Sequence, residues 1–148
     1  MALQPLDTAQ VDFDALTRLF LDSRATAMPW LPVLHDFAST RRFLRDTLPT
    51  QACWLARDSA GKVLGFIAFD ADWVNHLYLA PAAQGQGLGA RLLALAQNDG
   101  VQRQLWCFAD NQRARHFYER QGWAQVDATD GSANEERCPD VRYQWQRR

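Results

Sequence analysis

A chain of 148 residues has room for one domain with one core, since a globule of that size buries roughly 68–70% of its unfolded surface. Hydrophobic residues at 47%, with six Trp and eight Phe, exclude a disordered or low-complexity chain. Sixteen Lys+Arg against seventeen Asp+Glu leave a net charge of −1, so there is no overall cationic field to draw in nucleic acid or an anionic membrane.

Residues 1–6 read as a short strand. The beginning of the sequence has neither a cationic stretch followed by an apolar one nor a span of membrane length, so a cytoplasmic protein is expected. Val11, Leu16, Leu19 and Phe20 then recur at helical spacing behind Asp12 and Asp14. Met28-Pro29-Trp30-Leu31-Pro32 breaks that helix, and Ser39 or Thr40 can cap a second one carrying Phe43, Leu44 and Leu48. Ala52–Ala56, Val63–Phe69 and Trp73–Leu79 are apolar runs of strand length closed by turn residues, which predicts an antiparallel meander.

Beyond Pro81 a glycine-rich loop opens a helix over Ala90–Asn98, followed by a short aromatic strand, Gln104–Phe108. Asn111–Gln121 reads as a helix ended by Gly122, and Trp123–Val126 and Val141–Trp145 as the last strands. The segment between those strands, Asp127–Asp140, is polar and acidic. Cys53, Cys107 and Cys138 are an odd, widely spaced set with no CxxC pair, so neither a disulfide scaffold nor a metal site is expected. Cys107 is most simply a small core residue.

The loop Gln84-Gly85-Gln86-Gly87-Leu88-Gly89-Ala90 places successive backbone N–H groups and a positive helix end where an anion can approach. By itself such a string also fits a flexible turn before a helix. Gly85-x-Gly87-x-x-Ala90 with Asp110 formally matches a dinucleotide fingerprint. Five residues separate the strand from the first glycine, however, and too little chain follows Asp110 for a doubly wound sheet.

The run His76-Leu77-Tyr78-Leu79-Ala80-Pro81 with this loop resembles the acyl-CoA-binding segment of the GNAT superfamily of N-acetyltransferases, whose Q/R-x-x-G-x-G/A signature falls on Gln84, Gly87 and Gly89. Asn111 to Trp123 resembles that family's N-x-x-A-x-x-F-Y-x-x-x-G-F helix, with Trp123 in place of Phe. The resemblance implies an α+β fold: a mixed, mostly antiparallel sheet splayed between the fourth and fifth strands, with helices on both faces. It implies acetyl-CoA as the cofactor, held by Leu77, Tyr78 and Leu79, by Gln84, Gly85, Gln86, Gly87, Leu88, Gly89 and Ala90, and by Asn111, Ala114 and Tyr118. Tyr118 is the family's equivalent of the proton donor to the departing thiolate.

Spacing alone puts Asn111, Ala114, Tyr118 and Gln121 on one helical stripe and turns Phe117 toward the core and His116 to solvent. The resemblance implies acetyl transfer to a primary amine of a small molecule by direct attack. A non-catalytic acyl-CoA-binding domain is the alternative, and a homodimer is allowed. The resemblance matches Trp73, with Asn75 next on the same face, to a position where some members of that family carry a Glu as base. His76 has a suitable intrinsic pKa, although strand alternation sets it opposite Asn75 and Leu77, and a water chain relaying the proton to solvent is the equal alternative. For the acceptor side, His35, Glu135 and Glu136 and the aromatic rings of Trp30, Trp54 and Trp73 are the candidates, together with Asn75. The acidic segment is read as able to attract a cationic amine.

Overall fold

The structure, a computed structural model, describes residues 2–148, and Met1 lies outside them. The chain runs β1 (Ala2–Pro5), α1 (Phe13–Ala27), α2 (Phe37–Thr47), β2 (Ala52–Arg57), β3 (Val63–Phe69), β4 (Val74–Leu79), α3 (Leu88–Asn98), β5 (Gln102–Phe108), α4 (Gln112–Arg120), β6 (Ala124–Thr129) and β7 (Asp140–Gln146). No helix among the described residues is long and apolar enough to cross a membrane.

Strands β1 to β4 form an antiparallel sheet in sequence order, and a second antiparallel sheet has the order β5-β7-β6. The two meet in a parallel bridge between Trp73 and Gln104, with the Gln104 N–H donating to the Asp72 carbonyl at 2.8 Å. Past that root β4 and β5 part, which is the splay expected between the fourth and fifth strands. Helices cover both faces of the first sheet. Phe13, Leu16 and Leu19 of α1 and Leu44 of α2 bury against Phe66 and Ala68. Leu88, Leu92, Leu93 and Ala96 of α3 bury against Ile67 and Phe69, in a core that continues to Leu105 and Tyr143. Strand β3 is therefore apolar at every position, because both of its faces are covered.

Several element ends differ from the sequence-based expectation for local reasons. Asp12 caps α1, leaving Val11 ahead of the helix, which then runs to Ala27 until Pro29 stops it. Asp36, not Ser39 or Thr40, caps α2: its carboxylate accepts from the Ser39 N–H at 2.8 Å, and the two hydroxyls bond back to the Asp36 carbonyl. Helix α3 starts at Leu88, since Gly87 at φ +78° supplies the left-handed turn at its head. Strand β6 runs on through Asp127–Thr129, a stretch that reads as loop from its charge, because it is an edge strand exposed along its whole length.

The strand carrying His76 is also not regular. Between Ala68 and Phe69 of β3 the register with β4 slips, so that Asn75 is an extra residue in a β-bulge. Strict alternation is thereby lost, and Asn75 and His76 both line the same shallow depression beside α2 instead of opposite faces. Asp70 fixes this irregularity. Its carboxylate accepts from the Asp72 and Trp73 N–H groups at 2.9 and 2.8 Å and from the Asn75 amide at 3.1 Å, and the same amide donates to Gln51 at 2.9 Å.

Candidate active site

The gap between β4 and β5 is a cleft of about 520 Å³, in the size range of small-molecule sites. Its walls are Asn75 to Leu79 of β4, Leu105 to Phe108 of β5 and the exposed stripe of α4, and the end of α1 and the glycine loop close it. Gly65 on β3 is what lets β4 sit so close to α3: a Cβ there would fall 2.6 Å from Leu79 Cδ2 and 2.9 Å from the Tyr78 carbonyl.

The loop fits an anion such as a pyrophosphate. Gly85 and Gly87 both have positive φ, +79° and +78°, and nothing lies within 4 Å of where their side chains would be. Helices α1, α2 and α4 are capped by Asp12, Asp36 and Asn111, whereas no side chain caps α3. The first-turn N–H groups of Leu88, Gly89 and Ala90 thus keep free donors at the positive end of the helix dipole. Gln84, Gly85, Gly87, Leu88, Gly89 and Ala90 all line the cleft. Gln86 does not, and its amide turns back toward the Ala82 carbonyl.

Helix α4 forms the opposite wall. Asn111 both lines the cleft and accepts from the Ala114 N–H at 3.3 Å, which holds the start of the helix. Ala114, Tyr118 and Gln121 follow on the same face. Phe117, expected in the core, lines the cleft as well, and its ring stands 3.3 Å from the position a Cβ on Gly89 would take. Tyr118 packs among Phe117, Trp123 and Tyr143, with centroids 5.2 to 6.1 Å away. Burial pushes its phenol above the ordinary value, with smaller contributions from Cys107 and Tyr78, and its hydroxyl has no hydrogen-bond partner among the described residues. Tyr118 thus lines the cleft with its phenol protonated and unengaged. Cys107 beside it is inert, its thiol pushed up to about 12 by burial.

His76 lines the cleft too. Its ring is packed among Phe20, Phe43 and Tyr78, and Nδ1 is buried without a partner. Burial, reinforced by the Arg24 charge, lowers it to about 4, so the imidazole is neutral at pH 7.

The candidates for the acceptor side are dispersed. Of these, only Asn75 lines the cleft. Trp30 borders it through an edge-to-face contact with Phe108 at 6.2 Å, and Glu136 through an ion pair with Arg24 at 3.2 Å. His35 and Glu135 pair with each other farther out, joining the α1–α2 connection to the β6–β7 loop. Trp73 sits at the root of the splay, and Trp54 packs against the core beneath α3, away from the cleft. Residues not singled out in the sequence complete the mouth: Arg24 from α1, Met28 just after it, and Trp106 and Phe108 from β5; Asp140 of β7, at the end of the acidic segment, also lines it. Alternation along β5 carried a signal, because Gln104, Trp106 and Phe108 fall on the face opposite the buried Leu105 and Cys107.

Comparison with known proteins agrees with this geometry. Residues 13–123 match the acetyltransferase (GNAT) family. The chain is 28% identical over 134 residues to an uncharacterized N-acetyltransferase of Archaeoglobus fulgidus, covering 74% of this chain and 85% of the relative. It is 26% identical to the peptidyl-lysine N-acetyltransferase YiaC of Escherichia coli, covering 78% of this chain and 80% of that one. In fold it is similar to the apo form of YjaB from Escherichia coli, with a TM-score of 0.79 at 16% identity over 97% of this chain and 96% of the other. The chain belongs to the GNAT family of N-acetyltransferases.

Proposed function

We propose that this enzyme, acting as one domain, moves the acetyl group of acetyl-CoA to a primary amine of a small molecule by direct attack, with no covalent enzyme intermediate. One observation carries the reading: a single cleft holds an uncapped, glycine-bordered helix end at one side and a partnerless tyrosine hydroxyl at another. Acetyl-CoA supplies an acyl group activated as a thioester. The Leu88–Ala90 N–H groups would hold its pyrophosphate, and the unpaired edge of β4 between Leu77 and Leu79 would hydrogen-bond its pantetheine arm and polarise the carbonyl.

In the transfer a C–N bond forms as the C–S bond breaks. The Tyr118 hydroxyl offers its proton to the departing sulfur. Burial disfavours the phenolate this would leave, so Tyr118 takes a replacement proton from solvent, which balances the one the attacking amine releases. The amine's proton leaves to water, with His76, neutral at pH 7 and lining the same cleft, able to pass it on but, at about 4, not to keep it.

Titration with acetyl-CoA followed by measurement of amine-dependent thiol release tests the reading. Micromolar binding with release in the presence of amine is expected, and a flat titration to millimolar concentration removes the premise. A second reading, a domain that binds acyl-CoA without turnover, is favoured by the bulge, where an amide, Asn75, is tied to Gln51 and Asp70 and the Asp70 carboxylate is itself engaged by the Asp72 and Trp73 N–H groups. Firm binding without release for any amine would support that reading.

A further inference from the structure

The β5-β7-β6 sheet has one face in the core and one face open. Leu105 and Cys107, beside Tyr143 and Val141, are buried under α3 and α4. The alternate residues form three rows across the open face. Gln104, Gln144 and Ala124 make the first, Trp106, Arg142 and Asp127 the second, and Phe108, Asp140 and Thr129 the third. Trp106 is 45% exposed on this face. Trp106 and Phe108 also line the cleft, so this aromatic surface is continuous with the site, and Trp30 extends it at the Phe108 edge.

The charges around this surface are mostly spoken for. Glu136 is bonded to Arg24, Glu135 to His35, and Asp127 lies 3.8 Å from Arg142, which also donates to Gln104. Asp140 differs: it lines the cleft, its side-chain partner is the neutral Thr129 hydroxyl, and it forms no ion pair with any described residue. One uncompensated carboxylate therefore stands next to Phe108 in the register of β5 and β7. A row of free carboxylates for a polyamine is missing, and an acceptor carboxylate seeking Arg24, the cation on the α1 side of the cleft, would have to displace Glu136.

Building on the transfer reading above, we infer that the acceptor is a primary amine carried on an uncharged aromatic body, with its ring on Trp106 and Phe108 and its ammonium first held by Asp140. Stacking on an exposed indole favours a planar ring over an alkyl chain of equal reach.

Isothermal titration of 2-phenylethylamine, n-hexylamine, phenylalanine and spermidine into the protein, with and without CoA, tests this by binding, independently of turnover. The aromatic amine should bind about tenfold tighter than hexylamine, and tighter than phenylalanine or spermidine. Trp106→Leu should erase the margin between the ring and the alkyl chain, Trp106→Phe should keep most of it, and Asp140→Asn should weaken both amines alike. Equal affinity for the two amines, no binding of either, stronger binding of phenylalanine or spermidine, or a margin that survives Trp106→Leu overturns the inference. If the ring preference holds while thiol release fails with every amine, the docking site stands and the transfer reading falls.

Discussion

Arg24 and Glu136, 112 residues apart in the chain, bond at 3.2 Å beside the cleft with side chains only 22% and 16% exposed. The same guanidinium donates to the Tyr78 hydroxyl at 3.2 Å, so α1, β4 and the β6–β7 loop are tied at one point. Removing one partner of a mostly buried pair strands the other charge, whereas an exposed pair is worth little.

Glu136→Gln is therefore expected to lower unfolding free energy by about 2–4 kcal/mol in urea denaturation. Glu135→Gln, which breaks the exposed contact with His35, should change it by less than about 1 kcal/mol. Glu136→Gln should also lower KM for carboxylate-bearing amines, because Arg24 is then free to receive them. Equal stability losses in the two variants would show that Arg24 is not held by this pair.

Tyr118→Phe should reduce kcat by about 10- to 1,000-fold and leave acetyl-CoA affinity within a few-fold, since only the hydroxyl is lost. Because burial raises the phenol above its usual range, wild-type turnover should show no falling limb from Tyr118 below about pH 10. A pH–rate profile in which such a limb appears at neutral pH and vanishes in Tyr118→Phe would contradict this environment.

His76 makes stability depend on pH. Its folded value of about 4 lies below the 6.5 of an unperturbed imidazole, so the unfolded chain binds the extra proton between those values. Stability is then complete above about pH 6.5 and falls as pH drops toward 4, by up to about 3 kcal/mol. Urea denaturation at pH 7.5 and 5 should show this loss in the wild type and a clearly smaller one in His76→Phe. An identical pH dependence in both proteins would place the titration elsewhere.

The wall of the cleft built from the glycine loop and α4 was legible in the sequence because it is local. Gln84, Gly85 and Gly87 to Ala90 lie on one continuous run, and Asn111, Ala114 and Tyr118 on another, whose local backbone and helical stripe bring them to the cleft with no distant partner. The acceptor half was not. Arg24 with Glu136, and Phe108 with Asp140, become neighbours only through tertiary pairing, and charge in the sequence does not reveal that Glu135 and Glu136 are already engaged. The bulge at Asn75 leaves no compositional trace, since it is fixed by Asp70 and by Gln51 from another strand's approach. Asp36 as the α2 cap was readable in principle, being three residues ahead of Ser39, but the hydroxyls behind it offered an equally plausible cap.

The phosphate loop can be tested against a control that this chain provides. Gly87 and Gly61 have nearly the same backbone, φ +78° and +85°, and at both a Cβ would meet nothing within 4 Å. Valine at either position costs about the same left-handed strain, on the order of 1–2 kcal/mol or more for a β-branched residue. Gly61 lies in the turn between β2 and β3, outside the cleft lining, whereas Gly87 heads α3 within it. Both variants should thus unfold at similarly lowered urea concentrations, but only Gly87→Val should weaken acetyl-CoA binding, by at least about tenfold, as the helix-end N–H groups lose their aim. A strained Gly87→Val protein that binds acetyl-CoA as tightly as Gly61→Val would mean that the loop does not hold the pyrophosphate.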